Sequence, residues 1–225
     1  MALLLALATE QECRAACPGL TTCPPEHELA PYRLAGREIL LCITGVGPIN
    51  ASIAMGRALA QRGDISTVWN IGLAGSFDLA LAPLGSVWLV REEIYPEYGL
   101  VADMPGADAR ALGFAQYADV WDRLPLPVAG DALPQAASLT VAGVTNSPVR
   151  AAALYARYKS LLENMEGFAV ALACLRAGIA CHEARVVSNL VGSRAPEHRA
   201  FAAALDRLPH LVHTLFATTS DSTHA

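Results

Sequence analysis

Short apolar runs alternate along the chain with longer stretches in which small and apolar side chains recur at helical spacing. The runs at 2–8, 38–44, 67–71, 86–91, 138–144, 161–164 and 180–188 predict strands. The segments 49–61, 149–158 and 167–177 predict helices, with Gly63 and Gly178 as stop signals. A last helix is expected over 197–216, interrupted or bent at Pro209, followed by a polar tail, 217–225, expected to fray. Strands alternating with helices predict an α/β fold, a single domain over 1–216 with a mixed, largely parallel central sheet flanked by helices. No internal repeat or linker divides it. The stretch 97–133 is loop-rich, with Pro105, Gly106, Gly113, Pro125, Pro127 and Gly130, which suggests a binding loop or a lid.

Composition sharpens this picture. Of 225 residues, 53% are hydrophobic and 16% charged, which supports a large buried core. A net charge of −5 gives no electrostatic reason to expect nucleic acid as partner. No apolar run approaches the length needed to span a bilayer, so no membrane partner is expected. The apolar start 1–8 lacks a basic region before it and is followed at once by Glu10 and Glu12. A buried first strand fits better than a signal peptide, and a cytoplasmic location is expected. None of the six cysteines forms a Cys-x-x-Cys pair; Cys42, Cys174 and Cys181 sit in apolar contexts as core residues. His210-x-x-His213 has helical spacing without an evident third ligand. Neither a metal nor a cofactor is therefore expected.

The candidate chemistry lies where strands end. Glu163-Asn164-Met165-Glu166-Gly167 places a carboxylate where a strand gives way to a helix, and Arg185-Val186-Val187-Ser188-Asn189 places an amide at the end of the next strand. A carboxylate can bind a sugar's vicinal hydroxyls, and an amide can read a purine edge. A helix of about 12 residues is roughly 18 Å long, and a strand of about 6 residues roughly 20 Å. The helix after Glu166 can therefore run back along the sheet, and the next strand can return Asn189 to the same edge. In open parallel sheets ligands bind at that edge. Glu10 and Glu12 follow the first strand, Gly45-Val46-Gly47 the second and Gly72-Leu73-Ala74-Gly75-Ser76 the third. Each has a plainer explanation. Glu10, Glu12 and Glu166 suit helix starts, Asn189 suits a turn, and the glycines suit tight turns. Their convergence is what points to a purine nucleoside as the small-molecule partner.

These residues resemble the purine nucleoside phosphorylase and nucleosidase superfamily, in its hydrolase branch, from the first strand to Arg194. Ala8-Thr9-Glu10-Gln11-Glu12 is similar to the family's first loop, which implies Glu12 as the residue that activates water. Asn70-Ile71-Gly72-Leu73-Ala74-Gly75 is similar to its Asn-x-Gly-x-Ala-Gly turn, which implies Gly75 against the base. Asn164-Met165-Glu166-Gly167 is similar to its ribose motif, the most specific match. That match implies Glu166 on the sugar hydroxyls, Met165 packed on the sugar and Asn164 within the substrate site. Where the methylthioadenosine/S-adenosylhomocysteine nucleosidases carry aspartate, this chain has Asn189, and with Ser188 to Arg194 it is similar to the futalosine hydrolases. The resemblance implies release of hypoxanthine, a homo-oligomer, and Asn189 serving the leaving base. An amide can donate to O6 or N7, whereas an ionised aspartate would face O6 repulsively. A buried mismatch of that kind costs about 1–3 kcal/mol. Arg194 is the nearest cation for the substrate's carboxylate tail, with His198 and Arg199 as other candidates, and the loop-rich stretch 97–133 is a candidate cover. The glycine turns at 45 and 72 supply no nearby arginine in sequence, which favours water over phosphate as the acceptor.

Overall fold

The structure, a computed structural model, describes residues 1–34, 36–101, 106–128, 130 and 133–217. The tail beyond 217 lies outside the described residues. The chain runs β1 (Ala2–Leu7), α1 (Glu10–Ala16), β2 (Leu29–Leu34), β3 (Arg37–Ile43), α2 (Pro48–Gln61), β4 (Ile65–Ser76) and β5 (Val87–Ile94). Next come the short β6 (Leu100–Val101), β7 (Ala107–Asp108), α3 (Ala109–Leu112) and β8 (Arg123–Pro125). The second half is β9 (Gln135–Thr140), α4 (Pro148–Tyr158), β10 (Leu162–Asn164), α5 (Gly167–Ala177), β11 (Ala180–Leu190), a 3₁₀ turn (Pro196–His198), α6 (Phe201–Leu205) and α7 (Leu208–Ala217).

Among the described residues one sheet has the order β10-β9-β5-β11-β4-β1-β3-β2, with β8 on β5. The pairs β1–β3, β1–β4, β4–β11, β5–β9 and β9–β10 are parallel; β2–β3, β5–β8, β5–β11 and β4–β10 are antiparallel. The sheet is therefore mixed and parallel in the main, as the alternating pattern predicts. Because β10 pairs with both β9 and β4, the strands β4, β11, β5, β9 and β10 close into a ring. One core, containing Leu4, Met55, Val68 and Phe168, lies between the sheet and the α2–α5 pair. A second, with Leu5, Cys13, Ile71 and Leu211, lies under α1, α6 and α7. β1 is buried on both faces, which is why it reads as an unbroken apolar run. On α2, Ala51, Ala54, Met55 and Ala58 form the buried stripe at helical spacing.

The differences from the sequence pattern have physical causes. β4 extends from Ile65 to Ser76, well past the expected 67–71, because neighbours on both sides supply the pairing that Asn70, Gly72 and Gly75 would weaken in isolation. β2 carries Pro31 and was not expected; it is an edge strand, where a missing N–H is tolerated. The expected helix 197–216 is three pieces, and Pro209 stands in the first turn of α7 rather than at a bend. Cys42, Cys174 and Cys181 are buried as expected, and all six cysteines are free thiols. No helix among the described residues is long and apolar enough to cross a membrane.

Candidate active site

The carboxyl ends of the parallel strands open into a cavity of about 340 Å³. Its lining includes Glu12, Val46, Gly75, Met165, Glu166 and Asn189, so all five expected segments contribute. Arg194 and Asn164 also line it.

Glu12 is held from three sides. Thr9 caps α1, and the Glu12 Oε2 accepts from the Thr9 amide and hydroxyl, both at 3.0 Å, completing a capping box. Its Oε1 accepts from the Leu73 amide at 3.0 Å. The helix-start role and the cavity-lining role therefore coincide in one side chain. Glu166 follows β10 at the start of α5 and is buried, and its Oε1 accepts from the Gly47 amide at 2.9 Å. Gly47 precedes α2 at φ 93°, a left-handed conformation open to glycine that aims its N–H at the carboxylate. Burial raises the Glu166 carboxyl above its ordinary value, against the opposing pull of Arg185 and the Gly47 amide.

Asn189 reaches the cavity through a β-bulge. Val187 pairs with Ala74 and Asn189 with Gly75, leaving Ser188 as the extra residue. Its Oδ1 accepts from the Ser188 hydroxyl at 3.0 Å, and its Nδ2 lies 3.3 Å from the Leu190 carbonyl. A Cβ on Gly75 would stand 3.0 Å from that Nδ2 and 2.8 Å from Val191 Cγ2, so the close packing there requires glycine. Arg194 is exposed at the rim, with its Nε donating to Asn146 Oδ1 at 3.1 Å. His198 and Arg199 do not line the cavity; His198 bonds Ser193 at 2.8 Å.

Asn164 is held by several partners. Its Oδ1 accepts from the amides of Glu166 (2.9 Å) and Gly167 (2.7 Å), and its Nδ2 lies 2.6 Å from both Glu93 Oε1 and Ser138 Oγ. The side chain is engaged within the protein and supports the start of α5, while the residue also lines the cavity. It belongs to a buried polar cluster drawn from every strand of the ring: Asn70, Glu93, Ser138, Thr140, Asn164, Glu183 and Arg185. Thr140 donates to Glu93 at 2.6 Å, and Arg185 Nε donates to Glu183 at 2.8 Å. Burial and the neighbouring Glu183 carboxylate push Glu93 well above the usual carboxyl range.

Arg185 is the residue whose role the sequence left unassigned. It is 1% exposed, and a Cβ on Gly72 would stand 2.7 Å from both its Nη1 and the Glu12 Oε1. An arginine therefore does lie at the Gly72 turn, contrary to the sequence expectation. It arrives from β11, far along the chain. Burial alone would lower its pKa, but Glu183, Glu166 and Glu93 outweigh that and hold it charged. Its Nη2 has no hydrogen-bond partner among the described residues. A phosphate dianion beside it would also face Glu12 and Glu166. The one sequence signal was a charged side chain inside a buried apolar run. Phe201 and Leu205 of α6 also close over the cavity, and no sequence feature marked them. No described residue of 97–133 lines it.

The profile of the phosphorylase superfamily matches residues 3–221. This chain belongs to that superfamily. It is 35% identical over 193 residues to a futalosine hydrolase of Thermus thermophilus, covering 82% of this chain and 84% of that protein. A futalosine hydrolase of Acidothermus cellulolyticus is 33% identical over 186 residues, 79% of this chain and 75% of its own. Among solved structures, a mutant 5'-methylthioadenosine/S-adenosylhomocysteine nucleosidase of Helicobacter pylori, with 5'-methylthioadenosine in its active site, superposes with a TM-score of 0.75. It is 17% identical and covers 98% of both chains, which shows the shared fold. Within this superfamily fold, the cavity at the strand ends brings together the held carboxylates of Glu12 and Glu166 and the Asn189 amide. Among the described residues no group of three or more His, Cys, Asp or Glu is placed to hold a metal.

Proposed function

We propose that this protein hydrolyses the N-glycosidic bond of futalosine, releasing hypoxanthine and dehypoxanthine futalosine on the futalosine route to menaquinone. The observation that carries this is Asn189 on the wall of the cavity that also holds Glu12 and Glu166. The names of the two relatives more than 30% identical support the same substrate.

Water attacks C1′ as the C1′–N bond to the base breaks, with its electron pair leaving on the base. Glu12 takes the proton from water as general base. Glu166 binds the ribose hydroxyls and offsets the positive charge that develops on the sugar. Met165 packs on the sugar and Gly75 lies against the base. Asn189 donates to O6 or N7 of the departing base, which takes up one proton to leave neutral hypoxanthine. Arg194 at the rim pairs with the carboxylate of the substrate's tail. We also propose a homo-oligomer in the cytoplasm.

The test is base release from futalosine, inosine, methylthioadenosine and aminodeoxyfutalosine in phosphate-free buffer, followed by chromatography. Hypoxanthine from futalosine is expected. In Asn189→Asp the preference should move toward adenine release by about tenfold or more, the size of a buried hydrogen-bond mismatch. Faster adenine release by the unaltered protein would overturn the assignment.

A further inference from the structure

Three thiols meet behind Glu12, on the core side of α1. Cys13 is the next residue along the helix and Cys17 is its C-cap; both are fully buried in the core under α1, α6 and α7. Cys23 is half-buried and packs against the same core. It returns there because the chain turns at once after α1. The Leu20 amide donates to the Cys17 carbonyl at 3.1 Å, and Gly19 takes φ 89°. The Cys23 thiol lies 3.8 Å from the Glu10 carbonyl, one turn before Cys13. The Cys13 thiol is in hydrogen-bonding contact with the thiols of both Cys17 and Cys23.

The two contacts differ in kind. Cys17 is one turn along the same helix, so a link to it would join α1 to itself. Cys23 lies on a separate segment, and of the three it alone reaches solvent, so an oxidant meets it first. We propose that Cys13 and Cys23 are a redox pair that a low-molecular-weight disulfide converts to a protein disulfide, and that this link displaces α1 and with it Glu12. The Cys23 thiolate attacks one sulfur of the small disulfide, whose S–S bond breaks to release one small thiol. The Cys13 thiolate then attacks Cys23 Sγ and expels the second. Two protein thiols are oxidised, one small disulfide is reduced, and the two thiol protons leave on the small thiols. The pairing stands apart from the nucleoside-hydrolase function; its effect on activity rests on that reading.

An S–S bond is about 2.05 Å long, so closing it draws together sulfurs that touch as thiols by about 1 Å or more. The segment carrying Cys23 is tethered on both sides. Pro24 and Pro25 stiffen it, Tyr32 Oη donates to the Pro18 carbonyl at 3.0 Å, and the His27 amide donates to the Ile43 carbonyl at 2.8 Å. α1 has only seven residues and takes up part of the movement. A displacement of about 1 Å at a reacting group can cost on the order of 10²-fold in rate. Burial, with Cys13 alongside, pushes the Cys23 thiol up to about 11; Glu10 adds to the rise and Arg14 opposes it. Tyr32 of β2 and Cys42 of β3 also face Cys13. Exchange is therefore slow at neutral pH and should quicken by up to about tenfold per pH unit on the alkaline side.

The test treats the full chain with oxidised glutathione across the alkaline range. The expected product is lighter by two hydrogens and carries no adduct. Trypsin cuts after Arg14, so the disulfide joins peptides 1–14 and 15–33, whereas a Cys17–Cys23 link stays inside the second. Cys23→Ser should form no such cross-link. A cross-link that survives in it pairs Cys13 with Cys17 and overturns the assignment, as does a lasting glutathione adduct on Cys23 without closure. The cross-linked protein should cleave futalosine at least tenfold more slowly and recover in dithiothreitol, while Cys23→Ser keeps its activity with or without the oxidant. Hydrogen exchange reads the movement without the reaction: the Leu73 amide, which donates to Glu12, should lose protection on cross-linking. Unchanged protection and unchanged kcat in the cross-linked protein would overturn the coupling to Glu12. If the reduced protein releases no hypoxanthine from futalosine, the function above fails, and the peptide masses and the Leu73 exchange still decide the redox pair.

Discussion

Glu12 carries two duties that pull in the same direction. The capping box with Thr9 and the bond from Leu73 leave its carboxylate little rotational freedom, so the group proposed to accept the proton from water is held in place. Glu12→Gln keeps the size and some of these bonds but cannot take a proton. We expect kcat to fall by about 10²–10⁴-fold with hypoxanthine binding nearly unchanged. Single-turnover kinetics beside calorimetry measure the two separately, and a loss confined to binding would contradict the assignment. These residue-scale features were partly legible. Glu12 follows β1, Glu166 follows β10 and Asn189 stands near the end of β11, so their place at the strand ends could be named from sequence alone. Asn164 could not be placed, because its partners Glu93, Ser138 and Glu183 come from three other strands. Arg185 was visible only as a charge in an apolar run, and its nearness to Gly72 depends on the register of β11 against β4.

The element that ties these side chains together is the start of α5. Asn164 caps the amides of Glu166 and Gly167, and Thr140 accepts from the Phe168 amide at 2.7 Å. Gly167 packs its backbone onto the Glu93 and Glu183 carboxyls, where a Cβ has no room. Burial, with the Glu183 carboxylate beside it, pushes the Glu93 carboxyl well above its ordinary range. The consequence for stability has a definite sign. The folded pKa of Glu93 lies above its unfolded value, so its contribution is complete below the ordinary carboxyl range and is lost as pH rises through the raised value. The slope should approach about 1.4 kcal/mol per pH unit inside that window. Glu93→Gln replaces the titrating carboxyl with a fixed amide and should flatten the dependence. Chemical denaturation across the pH range checks this, and identical slopes for the two proteins would disprove it. From sequence, helix α5 and its Gly178 stop were clear, since both signals are local. The ring closure that brings Glu93 to Glu183 was not, because β10 is three residues long and pairs with strands far away in the chain.

At the scale of the molecule, the sheet sorts its faces. One is covered by α2 and α5, the other by α1, α6 and α7. The outer side of the α2–α5 pair remains apolar: Ile49 is 75% exposed, Ile53 54% and Leu175 39%. Single exposed aliphatics are ordinary, but a group on two packed helices suits self-association. Ile53→Asp should therefore shift the protein toward a smaller species in sedimentation velocity without lowering its melting temperature as a monomeric core defect would. An unchanged sedimentation coefficient, or a species already monomeric before substitution, would rule this face out.

Local signals alone determined the class of this protein. Alternating periodicity, glycine stops and carboxylates at strand ends predicted an α/β domain with a nucleoside site at one sheet edge, because each signal acts over a few residues of backbone geometry. Tertiary structure decided what those residues face. Register placed Glu163, Gly75 and Asn189 side by side, a bulge at Ser188 re-aimed Asn189, and ring closure gave the Asn164 side chain its partners Glu93 and Ser138. Each outcome depends on pairing between distant strands, which a one-residue slip would reverse and which no short stretch of sequence encodes.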